Sequence, residues 1–290
     1  MSASAHLAPP WSLEDLAYYY GTDKSHDDHK YTDVYESLFG PLRLTTRNVT
    51  EIGIALGQGL QVWHDYFPHA HIWGVDVQPS CVAHARKLFA ASPRAHMLRA
   101  NSKSGRVDVA KLGLAPESMD VVIDDGDHFP PAMLSTLLAW WKYVRPGGLY
   151  VIEDLATGAN ANGQSYASKG RARAFPAGFA PLVHNATWLS AQRPEAAAIL
   201  RDHDSFFVDP LVGHRAYAAL LRAQRCCMLD RLSHNSHLLV IRKRPASRAR
   251  KVSSSGREQR SMRHAGVRPL LSPAQLADDP QWVLGKLPSR

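Results

Sequence analysis

Residues 49–154 alternate between strand and helix patterns five times, and this alternation restricts the fold more than any other feature of the chain. The fourth predicted strand is continuously apolar and rich in β-branched residues, as in parallel strands that are buried on both faces. Repeated strand–helix units predict an α/β fold with a mostly parallel, doubly wound sheet. The predicted strands are Val49–Ile54, Ala70–Asp76, Ala95–Ala100, Met119–Asp124 and Leu149–Asp154, and the helices among them are Leu60–Phe67, Pro79–Ala90 and Pro130–Tyr143.

The rest of the chain adds N-terminal helices and a C-terminal pair of strands. Helical patterns cover Leu13–Tyr20 and Tyr31–Phe39. The segments Arg225–Arg231 and His237–Lys243 predict an antiparallel hairpin at the end of the sheet. Residues 156–184 are rich in Gly, Ala, Ser and Asn, and predict a long loop or lid.

The net charge of +8 is concentrated in one segment. Residues 242–270 contain ten Lys or Arg and one acid, so this segment carries about +9 and the rest about −1 (8 − 9). We predict an N-terminal helical lid at 1–48, one main domain at 49–244, and a basic, largely disordered tail at 245–290. Because the body is nearly neutral and the tail lacks interleaved aromatic residues, we do not expect nucleic acid as a partner.

Composition also bears on the compartment of the protein. Three cysteines give no disulfide framework, and the N-terminal residues show no secretory signal. No apolar run approaches the roughly 20 residues that span a membrane. We therefore expect a cytoplasmic protein without a membrane partner, and the sequence leaves a homo-oligomer open.

A glycine-rich turn follows the first predicted strand. Gly53, Gly57 and Gly59 lie in the pattern Glu-x-Gly-x-x-x-Gly-x-Gly, which begins at Glu51. Glycines there let the backbone approach a ligand closely. The spacing differs from the Gly-x-Gly-x-x-Gly of dinucleotide enzymes, which favours a nucleoside cofactor without a phosphate. A generic tight turn is the alternative.

Polar residues at the ends of later strands complete the predicted cofactor site. Asp76 ends the second strand, where a carboxylate can accept both hydroxyls of a ribose. Asn101 and Ser102, after the third strand, could contact an adenine edge. Glu51 and Asp124, at the ends of the first and fourth strands, are assigned to the same site.

Two acidic runs follow the fourth and fifth strands. Asp125 and His128 belong to the first run, and Glu153 and Asp154 form the second. Converging carboxylates repel one another unless one is protonated or a cation binds, and oxygen ligands suit Mg²⁺. His128 could then accept a proton from a hydroxyl beside the metal. The alternative is that these acids cap the following helix.

These motifs carry a resemblance to a known family. The matching stretches are Gly21-Thr22-Asp23-Lys24, His29-Lys30-Tyr31, Tyr35-Glu36, Glu51–Ile54, Trp63, Tyr66-Phe67-Pro68, Gly74–Asp76, Ile123–His128, Pro146–Tyr150 and Ile152–Asp154. The chain resembles the class I S-adenosylmethionine-dependent methyltransferases. More narrowly, it is similar to the metal-dependent sugar O-methyltransferases of macrolide antibiotic biosynthesis, of the mycinamicin and macrocin type.

The resemblance implies a seven-stranded sheet with a C-terminal antiparallel hairpin and a set of site residues. Asp125, Glu153 and Asp154 would bind Mg²⁺ and His128 would be the general base. Asp76 and the glycine turn would hold S-adenosylmethionine. One departure is Asp127, which stands where the family has serine.

The expected function is therefore O-methylation of a small glycosylated or polyhydroxylated acceptor. Two alternatives remain at this stage. A related hydroxylase of antibiotic biosynthesis could use a similar acidic site, and a methyltransferase-like domain could serve only in binding. The acceptor and the role of residues 156–184 cannot be read from the sequence.

Overall fold

The computed structural model describes residues 11–102, 114–128, 130–155, 193–208, 238–245 and 268–271. The helices in these ranges are α1 (Leu13–Tyr20), α2 (Tyr31–Phe39), α3 (Gln58–Tyr66), α4 (Pro79–Leu88), α5 (Pro130–Trp140) and α6 (Pro194–Asp202). The strands are β1 (Asn48–Ile52), β2 (His71–Asp76), β3 (Ala95–Arg99), β4 (Met119–Asp124), β5 (Val144–Ile152), β6 (Asp204–Val208), β7 (Leu238–Arg242) and β8 (Arg268–Leu271). None of the helices described is long and apolar enough to cross a bilayer.

All eight strands belong to one sheet with the order β3-β2-β1-β4-β5-β7-β6-β8. The first five strands pair in parallel, and β7 is antiparallel to both β5 and β6. The predicted doubly wound, mostly parallel sheet with antiparallel C-terminal strands is therefore confirmed. An eighth strand, β8, adds to the expected seven, and it brings four residues of the predicted tail to the edge of the sheet.

The predicted C-terminal hairpin is wrong in one of its strands. β7 lies where the second strand was expected, but its antiparallel neighbour is β6, with Asp204 opposite Arg242. The other edge of β7 pairs with β5. Both edges of β7 are therefore paired, and neither is available for the predicted pairing with residues 225–231. Residues 225–231 and the predicted loop 156–184 lie outside the described residues. The apolar run in β6 is short and follows α6, which the sequence patterns did not reveal.

Alternation along β1, β4 and β5 sends neighbouring side chains to opposite faces of the sheet. One face packs against α1, α2 and α3 through Val49, Val121, Ile123, Leu149 and Val151. The other face packs against α5 and α6 through Ile52, Val122, Tyr150 and Ile152. The acids that follow these strands therefore enter two different environments.

The N-terminal helices lead the chain to the carboxyl ends of the strands. Ser12 and Asp15 form a reciprocal capping box at the start of α1, and Gly21 ends the helix in a left-handed conformation. The segment 22–30 then returns to α2. Its centre is fixed because the carbonyl oxygen of Lys24 accepts hydrogen bonds from the backbone of Tyr31 and Thr32.

Asp120 joins the amino ends of β1 and β4, at the opposite ends of these strands from the acidic runs. Its Oδ2 accepts hydrogen bonds from the backbone nitrogens of Arg47 (2.7 Å) and Asn48 (2.9 Å), and Arg145 pairs with its other oxygen. We expect Asp120→Ala to lower the free energy of unfolding by about 3 kcal/mol, because it leaves buried donors and a charge unpaired. Urea denaturation measures this change.

Asp202→Ala is the matched control for Asp120→Ala. Asp202 pairs with Arg201 on the exposed surface of α6, and such pairs contribute roughly 0.5 kcal/mol or less. Equal losses for the two variants would contradict the anchoring role of Asp120.

Candidate functional site

The two acidic runs meet at the carboxyl edge of the sheet, because β4 lies between β1 and β5. Backbone hydrogen bonds continue past the strand ends, from Asp125 N to Ile52 O (2.8 Å) and from Glu153 N to Asp124 O (3.0 Å). Residues that are almost thirty positions apart in the sequence are thereby held side by side.

A cavity of about 290 Å³ opens beyond the ends of β1, β2 and β4. It is lined by four of the predicted cofactor residues, Gly53, Asp76, Asn101 and Ser102, and by Asp127 and His128. Its position outside the carboxyl ends of parallel strands is where ligands bind in doubly wound folds.

The three glycines of the turn have different roles. Gly53 has a φ of +88°, and a Cβ added there would lie 2.0 Å from the carbonyl oxygen of Asp125. Only glycine therefore lets the turn after β1 pass so close to the chain after β4. Gly57 and Gly59 do not line the cavity. Gly57 begins α3, while a Cβ on Gly59 would lie 2.3 Å from Glu51 Oε1, so Gly59 makes room for that carboxylate.

Asp76 both faces the cavity and orders the glycine turn. Its Oδ2 accepts hydrogen bonds from the backbone nitrogens of Ile54 (3.1 Å) and Ala55 (3.2 Å), and its Oδ1 accepts one from Gln78 N (2.7 Å). The carboxylate is thereby fixed at the mouth of the cavity, where the predicted ribose contact would be made.

Asp125, His128 and Asp154 form one group beside the cavity. One ligand atom from each lies within 4.8 Å of the others. His128 Nε2 is 3.9 Å from Asp125 Oδ1 and 3.7 Å from Asp154 Oδ2. Two carboxylates and an imidazole that converge without direct hydrogen bonds between them fit a divalent cation.

Asp154 turns into this group because β5 has already ended. Its backbone lies in the left-handed region, with a φ of +56°. Tyr31 OH donates a 2.6 Å hydrogen bond to Asp154 Oδ1, and His29 Nδ1 lies 3.5 Å from the same oxygen. Burial and the neighbouring Asp125 raise the pKa of Asp154, so a cation beside it would favour its ionised form.

Glu153 points away from this group and towards the N-terminal helices. Lys24 Nζ donates hydrogen bonds to Glu153 Oε2 and to Asp125 Oδ2, each at 2.7 Å, and Tyr35 OH donates to Glu153 Oε1. Both oxygens of Glu153 are thus engaged. The structure brings two of the three predicted metal ligands, Asp125 and Asp154, together with His128, and it holds Glu153 against a lysine.

Glu51 belongs to the same buried cluster. Its Oε1 is 3.8 Å from Lys24 Nζ, and its Oε2 has no hydrogen-bond partner among the described residues. Burial raises the pKa of Glu51 to about 7, although Lys24 opposes the shift. Burial alone would lower the pKa of Lys24, but Asp125, Glu153 and Glu51 together raise it well above its ordinary value. Lys24 is therefore a permanent cation.

Asp124 lies on the opposite face of the sheet. Tyr150 OH donates a 3.2 Å hydrogen bond to Asp124 Oδ2, and Asp124 is not among the residues that line the cavity. Burial raises the pKa of this carboxyl to about 8. Its placement follows from strand alternation, which separates it from Asp125.

The sequence patterns missed the contribution of the N-terminal segment to the site. Lys24, His29, Tyr31 and Tyr35 all contact the acids that follow β4 and β5. One signal was available, since Tyr31 and Tyr35 are four residues apart and share a face of α2. The resemblance offered a second signal, because Lys24 belongs to one of the matching stretches, but the polar loop around it gave no sign that it is buried.

Residues 50–155 match the protein family described as "Methyltransferase domain". Over 152 residues the chain is 35% identical to the 8-demethyl-8-alpha-L-rhamnosyl tetracenomycin-C 2'-O-methyltransferase of Streptomyces olivaceus, which covers 50% of this chain and 38% of that protein. It is 30% identical over 152 residues to the mycinamicin VI 2''-O-methyltransferase of Micromonospora griseorubida. That alignment covers 50% of this chain and 36% of the relative. The chain thus spans less than two-fifths of the length of these curated relatives.

Solved structures show the same fold. The MycE methyltransferase from the mycinamycin biosynthetic pathway, in complex with Mg and SAH, aligns with a TM-score of 0.54 and 21% identity. The alignment covers 87% of this chain and 58% of that one. The sheet and its helices therefore have the methyltransferase fold.

The substitution Glu51→Gln tests whether burial raises the pKa of the Glu51 carboxyl. The pKa of Glu51 rises from 4.5 in the unfolded chain to about 7, so the folded protein holds the proton more tightly. The stability that protonation contributes is present below the lower value and is lost as pH rises through the higher one. Relative to Glu51→Gln, the wild type should lose on the order of 3 kcal/mol across that range.

Urea denaturation of both proteins near about pH 5 and about pH 8 measures the difference. The exposed Glu195→Gln on α6 is the control and should show no such pH dependence. A Glu51→Gln effect of the same size at both pH values would contradict the assignment.

Proposed function

We propose that this chain transfers a methyl group from S-adenosylmethionine to a hydroxyl of a small glycosylated or polyhydroxylated acceptor, with the help of a divalent cation such as Mg²⁺. The match of residues 50–155 to the family described as "Methyltransferase domain" supports this proposal. One observation carries the proposal. His128 lines the cavity of about 290 Å³ and also faces Asp125 and Asp154, so the cavity and the acidic group have this residue in common.

Each part of the site has a task in this reaction. Gly53 and Asp76 bind the donor, with Asn101 and Ser102 at the far end of the cavity. Asp125 and Asp154 hold the cation, and their carboxylates suit it. When bound, the cation polarises the acceptor hydroxyl and lowers its pKa.

His128 acts as the general base. Its neutral imidazole accepts the proton of the acceptor hydroxyl as the oxygen attacks the methyl carbon. A carbon–oxygen bond forms, the carbon–sulfur bond breaks, and S-adenosylhomocysteine leaves with the electron pair on sulfur. Asp125 and Asp154, each with one carboxylate oxygen within 4 Å of Nε2, stabilise the imidazolium that results.

The acceptor class follows from the relatives. Both names specify O-methylation, and the acceptor in the first name carries a rhamnosyl group. We propose a glycosylated small molecule as the acceptor of this chain as well. Those names, which specify O-methylation, favour methyl transfer over the hydroxylase alternative. A domain retained only for binding would be expected to have a damaged cofactor turn or cavity. Gly53 and the cavity show no such damage, which disfavours a role in binding alone.

The proposed catalytic unit extends beyond the family match on both sides. Residues 1–48 serve as its N-terminal cover, since Tyr31 and Tyr35 contact the acids of the site. The main domain extends to residue 244, because β6 and β7 complete the sheet. Residues 245–290 are proposed as a basic tail outside this unit, apart from β8.

Incubation of the purified protein with methyl-labelled donor and a panel of glycosylated acceptors tests the function. Label in the acceptor and a mass gain of one CH₂ support methyl transfer. A mass gain of one oxygen atom would support the hydroxylase, and donor binding without product across the panel would favour a binding protein.

His128→Ala should lower turnover by roughly a thousandfold, because it removes the base. Affinity for S-adenosylmethionine should stay within a few-fold of wild type, since Gly53, Asp76 and the other residues that line the cavity are unchanged. Product formation and calorimetric donor binding measure the two effects. The exposed His84→Ala on α4 should change neither, and unchanged turnover in His128→Ala would exclude it as the base.

Removal of divalent cations by a chelator should abolish turnover, and added Mg²⁺ should restore it. Asp154→Asn should weaken cation binding roughly tenfold or more, because it removes a ligand charge. Titration calorimetry with Mg²⁺ measures this affinity, with the exposed Asp202→Asn as control. Full turnover in the presence of chelator would contradict a metal-dependent reaction.

A further inference from the structure

A second cavity lies beside α1 and shares no lining residue with the cavity at His128. Its volume is about 550 Å³. The inner face of α1 is buried through Leu13, Leu16 and Ala17, and the cavity lies on the outer face of the same helix. Its lining combines aromatic rings with acids, and consists of Trp11, Glu14, Asp15, Tyr18, Tyr19, His26 and Asp27. The proposed methyl transfer uses none of these side chains.

The aromatic side chains of this cavity are open to solvent. Tyr18 is 72% exposed and Tyr19 is 58% exposed. Trp11 and Tyr19 meet edge to face, with ring centroids 5.4 Å apart and ring planes at 79°. Rings at this angle turn their faces in different directions, so one bound group can contact more than one ring. Aromatic rings that surround a concave surface are typical of a ligand-binding site.

The charged groups that line the cavity are carboxylates. On α1, Glu14 and Asp15 are each followed four residues later by a tyrosine, which places an acid and a ring side by side on the helix surface. Asp27, which is exposed, adds a third carboxylate from the segment after α1. No lysine or arginine lines the cavity. Lys30 follows in the chain, but its ammonium group donates to the carbonyl oxygen of His26.

Hydrogen bonds hold the walls of the cavity in place. Glu14 joins α1 to the segment after it, because Oε1 accepts a hydrogen bond from His26 N (3.0 Å) and Oε2 accepts one from Thr32 Oγ1 (2.6 Å). Arg43 Nη1 donates a 3.0 Å hydrogen bond to the carbonyl oxygen of Trp11. Walls that are already fixed lose little conformational freedom when a ligand binds.

The three carboxylates do not form a metal site. Within the part of the chain that the structure describes, the one group of three side chains whose ligand atoms lie within 4.8 Å of one another is Asp125, His128 and Asp154. The acids of the second cavity are spread among the rings instead. Rings of Trp and Tyr attract a cation to their faces, and nearby carboxylates add to this attraction.

We propose that this second cavity is a binding site for an organic cation, namely an ammonium or guanidinium group on a small molecule. Its carboxylates repel an anion. A neutral sugar could stack on the same rings, so charge is the property that separates the two classes of ligand. The site does not depend on the proposed methyl transfer, because it lies outside the donor cavity and the acidic group.

Choline tests the proposal, because a neutral isostere exists in which carbon replaces the nitrogen. The chain has seven tryptophans, so a proton–nitrogen correlation spectrum contains few indole signals, and the signal that Trp11→Phe removes belongs to Trp11. Choline should shift this signal in a saturable way, with a Kd of about 1 mM or tighter. The neutral isostere should bind at least roughly tenfold more weakly.

Variants locate the binding and separate ring from hydroxyl. Tyr19→Ala should weaken choline binding roughly tenfold, whereas Tyr19→Phe keeps the ring and should stay within about twofold of wild type. Asp27→Asn should weaken binding roughly threefold. The exposed Leu44→Ala and Asp202→Asn lie outside the cavity and should change nothing. Because these positions are exposed, the melting temperature of each variant should match that of wild type.

Four results would overturn the proposal. Equal affinity for choline and its neutral isostere would leave an apolar cavity without selectivity for charge. Methyl glucoside that shifts the Trp11 signal at lower concentration than choline would indicate a carbohydrate site. Choline affinity that is unchanged in both Tyr19→Ala and Asp27→Asn would place the binding elsewhere, and no shift at about 50 mM choline would exclude the site. These measurements involve no methyl transfer, so their failure leaves the proposed function standing.

Discussion

The contact of Lys24 with the acids of β1, β4 and β5 is the interaction on which the site depends. Parallel strands deliver their carboxyl ends to one edge, so acids that follow neighbouring strands are forced together. The sheet cannot supply their counter-charge, because its own residues there are acidic or apolar. The positive charge comes from Lys24, in the segment between α1 and α2, so the N-terminal part of the chain contributes directly to this edge of the sheet.

Strand alternation then distributes the acids among separate tasks. The side chains of Glu51, Asp125 and Glu153 point to the same face as the odd-numbered residues of β1, β4 and β5. On that face, which carries the N-terminal helices, they contact Lys24. Asp124 follows the even positions and meets Tyr150 on the other face. Asp154 would share that direction, but its left-handed backbone turns it back towards His128. A single change of backbone conformation after β5 thus separates Glu153, which pairs with Lys24, from Asp154, which lies beside His128.

Much of the sheet could be predicted because its signals are local. Met119–Asp124 has an apolar, β-branched centre and the predicted bounds, and Pro79 marks the start of α4. The wrong hairpin partner has a different cause, since pairing of β6 with β7 is a choice between distant segments and leaves no local mark. The site shows the same division. Convergence of Asp125 and Glu153 follows from strand order, whereas the role of Gly59 depends on a contact with Glu51 that only the folded chain contains.

The family match ends at residue 155, directly after the last acid of the site. The close contacts of the site involve no residue beyond this point. Gly53 packs against Asp125, Asp76 accepts hydrogen bonds from the glycine turn, and Lys24 pairs with Glu153. Each of these contacts serves the donor cavity or the acidic group, and a substitution at any of them would leave a clash or an unpaired buried charge. In the proposed reaction, the acceptor places no such restriction on these residues beyond one hydroxyl near His128. Relatives can therefore share this half of the chain while they differ in acceptor, and the choice of acceptor must be made by parts of the chain that these contacts do not restrict.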